Sequence, residues 1–305
     1  MTQFAISIPQ TFPTGRVDPQ LIKDFLARAE ALGCFDAAWD QEQILGRMPT
    51  LEPVDLLTFS AACTTRLRLG SAVLLTALRS PVHLAKSLST LDQLSQGRLI
   101  VGVGLGAAKA IYPAFGAQAE TRAARFAEGI RLMKALWTQD SVDFEGRFWQ
   151  LKNAAMEPKP VQKPHPPVWF GGGHPNALKR AAALGDGFIG AGSTSTSDFV
   201  RQVQDIRRFL AEAGRDPAAF PIGKRVYIAV DDDADRAWRG LEQWFGLRYG
   251  RTEYQHIAIW GPADECAAKV KEVIDAGAVH LLFTPVYDEA EQMERIAAGV
   301  IPKLS

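Results

Sequence analysis

Residues Arg66–Gly106, RLRLGSAVLLTALRSPVHLAKSLSTLDQLSQGRLIVGVGLG, place two apolar, β-rich runs either side of a segment with helical patterning. The runs are Arg68–Leu75 and Leu99–Val103. Both are continuously apolar rather than alternating, as strands covered on both faces of a parallel sheet must be. Two parallel strands need a crossover of a dozen or more residues between them, and the intervening stretch supplies one. The stretch therefore reads as strand, helix, strand.

Working outward, the same unit recurs. Six more strand candidates are Phe4–Ile8, Ala37–Trp39, Val168–Phe170, Gly187–Gly190, Arg225–Val230 and His280–Phe283. Amphipathic stretches lie between them. Leu21, Ile22, Phe25, Leu26, Ala29 and Leu32 form one stripe, and Phe199, Val203, Ile206 and Leu210 another. A helix over Ala263–Ala276 begins after Gly261-Pro262 and stops at Gly277. Eight strands in strict alternation with about eight helices predict a (β/α)₈ barrel in one domain spanning 1–305, although a doubly wound sheet gives the same local pattern. Ser141–Leu151 breaks the alternation as a small hairpin around Glu145-Gly146. The proline-rich connector Glu157–Pro167 follows it, an excursion on the barrel rim rather than a linker.

Composition bounds the function. Lys plus Arg and Asp plus Glu each total 34, so the chain lacks the basic excess that nucleic acid or a membrane surface would demand. The N-terminus has no signal-peptide pattern, and the apolar runs are too short to span a bilayer. The three cysteines, Cys34, Cys63 and Cys266, are far apart and suit a reducing, cytoplasmic setting. No HxH, HxxxH or HExxH spacing points to a metal, and neither GxSxG nor GxxxxGK[ST] is present. Asp231–Asp235 reads as the acidic opening of a solvated helix.

Three segments carry the chemistry. In Phe170–Asn176, FGGGHPN, Gly171, Gly172 and Gly173 follow a strand and precede a helix with Pro175 near its first turn. Glycines let backbone approach a ligand, and the helix N-terminus offers free N–H groups to a phosphate. The next junction, Gly187–Thr196, contributes Gly190 and Ala191 to the same cradle. The second segment, Arg98–Ala108, contains Gly102-x-Gly104-x-x-Ala107, close to a dinucleotide fingerprint. It follows three earlier βα units, so Gly104 and Gly106 are read instead as a glycine-rich strand end open to a flat ring system. The third, Phe35–Gln43, puts Glu42 and Gln43 just past a strand's C-terminal end, where barrel enzymes keep catalytic groups.

At these residues the sequence resembles the luciferase-like flavin and deazaflavin oxidoreductases. Arg66–Gly106 resembles their third and fourth βα units, Glu145–Gly173 and Ala181–Gly190 their connector and phosphate region, and Ile259–Pro285 their closing helix and strand. The resemblance implies a homodimeric (β/α)₈ enzyme with the cofactor ring at the C-terminal mouth and a small-molecule substrate. It further implies that Gly171, Gly172, Gly173 and Gly190 cradle the cofactor phosphate. Ala72-Val73 fall where relatives carry a non-prolyl cis peptide behind the ring, and Glu42 matches an acidic position at the ring's edge. The phrases FAISIPQ, LDQLSQGRLIVGVG and PKPVQKPHPPVWFGG look most like members using coenzyme F420. That cofactor implies hydride transfer to or from a C=O, C=C or C=N group. The alternative is FMN, with oxygen chemistry fed by a separate flavin reductase.

Two departures follow from the same comparison. Gln43 stands where many relatives have an acid–base histidine, and Ala107 where sugar-phosphate-oxidising relatives have a glutamate. A glutamine cannot exchange a proton near neutral pH. Sugar-phosphate dehydrogenation is therefore not carried over, and a general acid is left to Glu42, a tyrosine such as Tyr112, or water. A non-catalytic flavin-binding barrel and a Rossmann dehydrogenase complete the alternatives.

Overall fold

A computed structural model of the chain describes residues 2–106, 108–250 and 252–304. The eight expected strands all form. They are β1 (Gln3–Ser7), β2 (Ala37–Asp40), β3 (Arg68–Ser71), β4 (Leu99–Val103), β7 (Val168–Gly171), β8 (Gly187–Gly190), β9 (Ile222–Val230) and β11 (His280–Thr284). They pair in parallel in the order β1-β2-β3-β4-β7-β8-β9-β11, and β11 pairs back onto β1. The closed ring excludes the doubly wound sheet and, with it, the Rossmann reading of Gly102–Ala107. Ala107 itself lies outside the described residues.

Helices α1 (Pro19–Leu32), α2 (Pro53–Cys63), α3 (Pro81–Leu94), α4 (Arg122–Thr138), α5 (Pro175–Leu184), α6 (Thr196–Glu212), α7 (Ala234–Tyr249), α8 (Ala263–Asp275) and α9 (Glu289–Arg295) wrap the barrel. Their termini follow local sequence. Asp18, Ser80, Ser195 and Asp233 cap α1, α3, α6 and α7 by accepting first-turn N–H groups. Leu21, counted in the apolar stripe of α1, is 44% exposed, whereas Ile22, Phe25, Leu26 and Ala29 face the barrel.

The hairpin is β5 (Val142–Glu145) and β6 (Gln150–Ala154), a slightly longer excursion than Ser141–Leu151. Glu128 of α4 anchors its turn by accepting from the N–H groups of Arg147, Phe148 and Trp149. One strand escapes the sequence reading. β10 (Ala258–Gly261) lies outside the ring and pairs with Tyr227–Val230, the upper half of β9, whose lower half pairs with β8 and β11.

Large and small residues interlock inside the barrel. Trp39, Trp169, Ile100, Ile189 and Leu282 fill it, with His280 among the tryptophan rings. The tryptophans fit because neighbouring strands carry glycine. A Cβ on Gly70 would lie 2.6 Å from Trp39, and one on Gly187 would lie 2.6 Å from the Trp169 indole nitrogen.

The exit of β3 departs from the expected Arg68–Leu75 strand. Regular pairing stops at Ser71, the Ala72-Val73 peptide is cis, and Leu74 rejoins β4 by a single bridge to Val103. This segment leans on the β4 exit in a period-two ladder of glycines. A Cβ on Gly102 would meet Ser71 O at 1.7 Å, one on Gly104 would meet Val73 Cγ2 at 2.5 Å, and one on Gly106 would meet Leu75 Cδ2 at 2.8 Å. The run Gly102-x-Gly104-x-Gly106 is thus a docking surface for the chain leaving β3. Two substitutions of the same kind should then act in opposite directions. Gly102→Ala should destabilise by at least about 2 kcal/mol, because backbone cannot yield as a side chain does. Gly129→Ala in α4, whose added methyl meets only ordinary contacts at 3.5 Å, should stabilise by about 0.5–1 kcal/mol. Urea denaturation measures both, and a neutral Gly102→Ala would refute the ladder.

Candidate active site

The C-terminal ends of the strands form the mouth, and three groups of residues meet there. The first is the wall made by Ala72 and Val73. Val73 reaches over Gly104 of the β4 exit and over Gly171 of β7, where a Cβ would lie 2.9 Å from Val73 Cγ1. The wall at the β3 exit and the glycine loop after β7 are therefore in direct contact.

The second group is that loop. Gly172 has φ +122°, which glycine alone adopts without strain, and Gly173 faces Gln202 of α6, whose Nε2 sits 2.5 Å from the Cβ position. His174 caps α5, its Nδ1 accepting from Asn176 N–H at 3.1 Å. The N–H groups of Gly172, Gly173 and His174 have no acceptor among the described residues. Three free donors at a helix N-terminus suit a phosphate, and the absence of side chains on two of them leaves it room. Gln202 is buried and its Oε1 has no partner among the described residues. Beside it, the β8 exit is fixed from below by Lys224, whose Nζ donates to Ala191 O at 2.5 Å and to Arg225 O at 2.9 Å. Burial pushes the Lys224 ammonium down to about 7, with Arg225 adding to the effect. Gly190 is required because a Cβ there would press on Phe199 and Lys224.

The third group is a closed ring of hydrogen bonds across the top of the barrel interior. Ser7 Oγ and Thr284 Oγ1 are 2.8 Å apart, and Arg225 Nε donates to Thr284 Oγ1 at 3.1 Å. Arg225 Nη2 donates to Gln41 Oε1 at 3.2 Å, and Gln41 Nε2 donates to Ser7 Oγ at 3.1 Å. Gln10 clamps the Gln41 backbone from both sides, at 2.6 and 2.7 Å.

Gln41, Arg225 and Lys224 were missed by the sequence reading, and strand parity is the signal that finds the first two. Ala37 and Trp39 point into the barrel, so Gln41 is the next inward residue; Gly223 is inward, so Arg225 follows.

Gln43 and Glu42 sit on the loop beyond. The Gln43 amide lies against Gly46, at 1.9 Å from where a Cβ there would be, and its Oε1 is buried without a partner among the described residues. Glu42 has a fully buried side chain, with Oε1 accepting from Arg79 Nη2 at 2.7 Å and Oε2 accepting from Leu75 N–H at 2.5 Å. Burial pushes its carboxyl up while the Arg79 guanidinium pulls it down. Glu42 thus ties the β2 exit to the wall segment. Tyr112 donates its hydroxyl to Leu105 O at 2.7 Å, beside the β4 exit. Beneath the mouth, burial pushes the Asp40 carboxyl well above the ordinary range.

A family model described as luciferase-like monooxygenase matches residues 2–256. An F420-dependent glucose-6-phosphate dehydrogenase of Kineococcus radiotolerans is 30% identical, over 94% of this chain and 93% of that protein. An FMNH(2)-dependent dimethylsulfone monooxygenase of Pseudomonas putida is 34% identical, over 58% of this chain and 48% of its own length. Among solved structures, an F420-dependent secondary alcohol dehydrogenase in complex with an F420-acetone adduct superposes with a TM-score of 0.86 at 21% identity. It covers 100% of this chain and 99% of that one.

His280 gives the interior a measurable pH signature. Burial pushes its imidazole from 6.5 down to about 4. Between about pH 6.5 and pH 4 the unfolded chain binds a proton that the folded chain refuses, so stability falls as pH drops through that window. Asp40 acts oppositely: the folded chain keeps a proton the unfolded chain has lost, so its contribution weakens as pH rises above the ordinary carboxylate range. His280→Gln should therefore flatten the loss of stability from pH 6.5 to 4.5 in chemical denaturation. An unchanged slope would show that His280 is charged when folded.

Proposed function

This chain belongs to the luciferase-like monooxygenase family, and from that premise we propose that it is an F420-dependent oxidoreductase moving a hydride between the deazaflavin and a small organic substrate. It is an oxidoreductase by membership; the choice of cofactor and of reaction is our reading. One observation carries it. Val73 touches Gly171, so a flat wall for a ring system runs directly into a backbone cradle for a phosphate. The residues fit such a cofactor, since the N–H groups of Gly172, Gly173 and His174 have no acceptor among the described residues and two of the three carry no side chain. F420 is favoured over FMN because the relative named for F420 matches nearly the whole chain, whereas the one named for FMNH(2) matches 58% of it.

Gly171, Gly172, Gly173 and Gly190, with Ala191 held by Lys224, would hold the phosphate, and Ala72, Val73, Gly104 and Gly106 would back the ring. When bound, the deazaflavin supplies or accepts the hydride at its ring carbon. The chain's own part is orientation and polarisation. The Gln41 amide, and whichever of the Ser7 and Thr284 hydroxyls accepts from the other, stand at the floor of the mouth as hydrogen-bond donors for a substrate oxygen. Arg225 adds positive charge beside them. None of the three neutral groups titrates near neutral pH, so rate enhancement by positioning fits better than proton exchange. Glu42, with both oxygens engaged, acts as a positioning residue for the wall. The second reading, an FMN-dependent monooxygenase served by a separate flavin reductase, is favoured by the dimethylsulfone monooxygenase likeness.

Fluorescence titration with F420 and with FMN separates the two. We expect tight F420 binding and weak FMN binding; the reverse order would favour the monooxygenase, and binding of neither would refute the cradle. Gly172→Asp should abolish cofactor binding by setting a carboxylate against the phosphate. Gln41→Ala should lower kcat about tenfold or more with cofactor affinity retained. Gln43→Ala should slow turnover less, through the loop it packs. A larger effect at Gln43 would move the substrate to the loop.

A further inference from the structure

The mouth carries more positive charge than its protein partners use. Arg225 is half-buried, its Nε and Nη2 donate to the neutral acceptors Thr284 and Gln41, and its Nη1 has no partner among the described residues. Its guanidinium lies 4.7 Å from the centre of the Tyr227 ring. Tyr227 in turn shares a 2.6 Å hydrogen bond with the Tyr249 hydroxyl. Arg248, in the last turn of α7, joins the same group: burial pushes its guanidinium down, Tyr249 and Tyr227 act to raise it, and Arg225 lowers it further. No carboxylate stands within ion-pair range of Arg225 or Arg248 among the described residues.

Two other half-buried guanidiniums, Arg68 and Arg180, likewise have no ion-pair partner among the described residues, whereas two more are fully matched. Arg79 is paired with Glu42 and Glu52, and Arg98 is saturated by backbone carbonyls and a threonine. A guanidinium cannot shed its charge on burial as a lysine or histidine can, so an unpaired pair of them in a cleft is costly unless an anion completes it. Planar donors spaced around a cleft match the oxygens of a carboxylate, sulfonate or phosphate.

Resting on the reading of the mouth as the substrate site, we propose that the substrate bears an oxyanion group held by Arg225 and Arg248. Tyr227 and Tyr249 shape that end of the pocket. The reacting carbon then lies toward Gln41 and Ser7, and the anionic end toward β9 and α7. Arg225 and Arg248 are anchoring residues in this scheme and determine which substrates are accepted.

Isothermal titration calorimetry on the F420-loaded protein tests this with acetate, methanesulfonate and inorganic phosphate. Each is set against a neutral counterpart: acetamide, dimethyl sulfone and trimethyl phosphate. At least one anion should bind while its counterpart does not, and the best anion identifies the oxyanion class. Arg225→Gln and Arg248→Gln should each weaken that anion about tenfold or more, with F420 affinity changed less than twofold. Arg248→Gln leaves the hydrogen-bonded ring untouched, so it decides the matter if Arg225→Gln does not fold. Equal binding of anion and neutral counterpart, or anion binding unchanged in Arg248→Gln, would overturn the proposal. So would loss of F420 affinity in either variant, which would assign the guanidinium to the cofactor. The same titrations on cofactor-free protein keep the two readings apart: anion binding without any F420 binding would sink the cofactor assignment and leave the anion site standing.

Discussion

The contact on which the rest depends is the approach of the β3 exit to the β4 exit. Ser71 O lies where a side chain on Gly102 would begin, and the next two inward steps repeat the relation with Val73 over Gly104 and Leu75 over Gly106. This ladder turns the wall segment toward the barrel axis and brings Val73 against Gly171. It also fixes Leu75, whose N–H is taken by Glu42. The β2 exit, the wall and the glycine-rich end of β7 are therefore one mechanical unit. Close packing leaves no slack to move one of them without the others.

Much of the barrel was legible because its strands are buried on both faces, which leaves an unbroken apolar run that periodicity cannot disguise. The cis peptide at Ala72-Val73 was legible only through family resemblance, since nothing in the composition of LGSAVLL signals it. The four-residue β10 was not legible, and neither was the exact end of β3: both are set by pairing geometry rather than by residue type. The site shows the same division. The glycines of FGGGHPN are read directly, since their chemistry is an absence of side chains. Gly104 and Gly106 also stood out, yet their first duty is to accept Val73 and Leu75.

Two glutamines follow β2, and residue type alone does not tell them apart. Gln41 and Gln43 have the same parity from Trp39, and both follow the strand. Only the hydrogen bonds separate them. Gln41 is clamped by Gln10 and closes the ring through Ser7 and Arg225, whereas Gln43 has left strand geometry and packs on Gly46. Arg225 opens the strand candidate Arg225–Val230, and an arginine facing a barrel interior is the kind of buried polar residue that calls for a partner.

The buried ionisable groups of this molecule divide by whether they can give up charge. Lys224 is pushed down to about 7 and His280 to about 4, and Asp40 is pushed well up, each by burial. His280 lies inside the barrel and Asp40 and Lys224 between its wall and the helices, and at all three neutrality is the cheapest answer to a low dielectric. Arginine has no such answer, and Arg225 and Arg248 stay half-buried, with Arg225 stacked on the Tyr227 ring that shares a hydrogen bond with Tyr249. The chain as a whole balances 34 basic against 34 acidic residues, so this local excess is a matter of placement, not composition. Arg79 and Arg98 are instead matched by carboxylates or carbonyls, which leaves Arg225 and Arg248 as unmatched charge on the β9 and α7 side. A cleft so arranged selects its ligand by sign before it selects by shape, because the cost of leaving two guanidiniums unmatched falls on every neutral competitor.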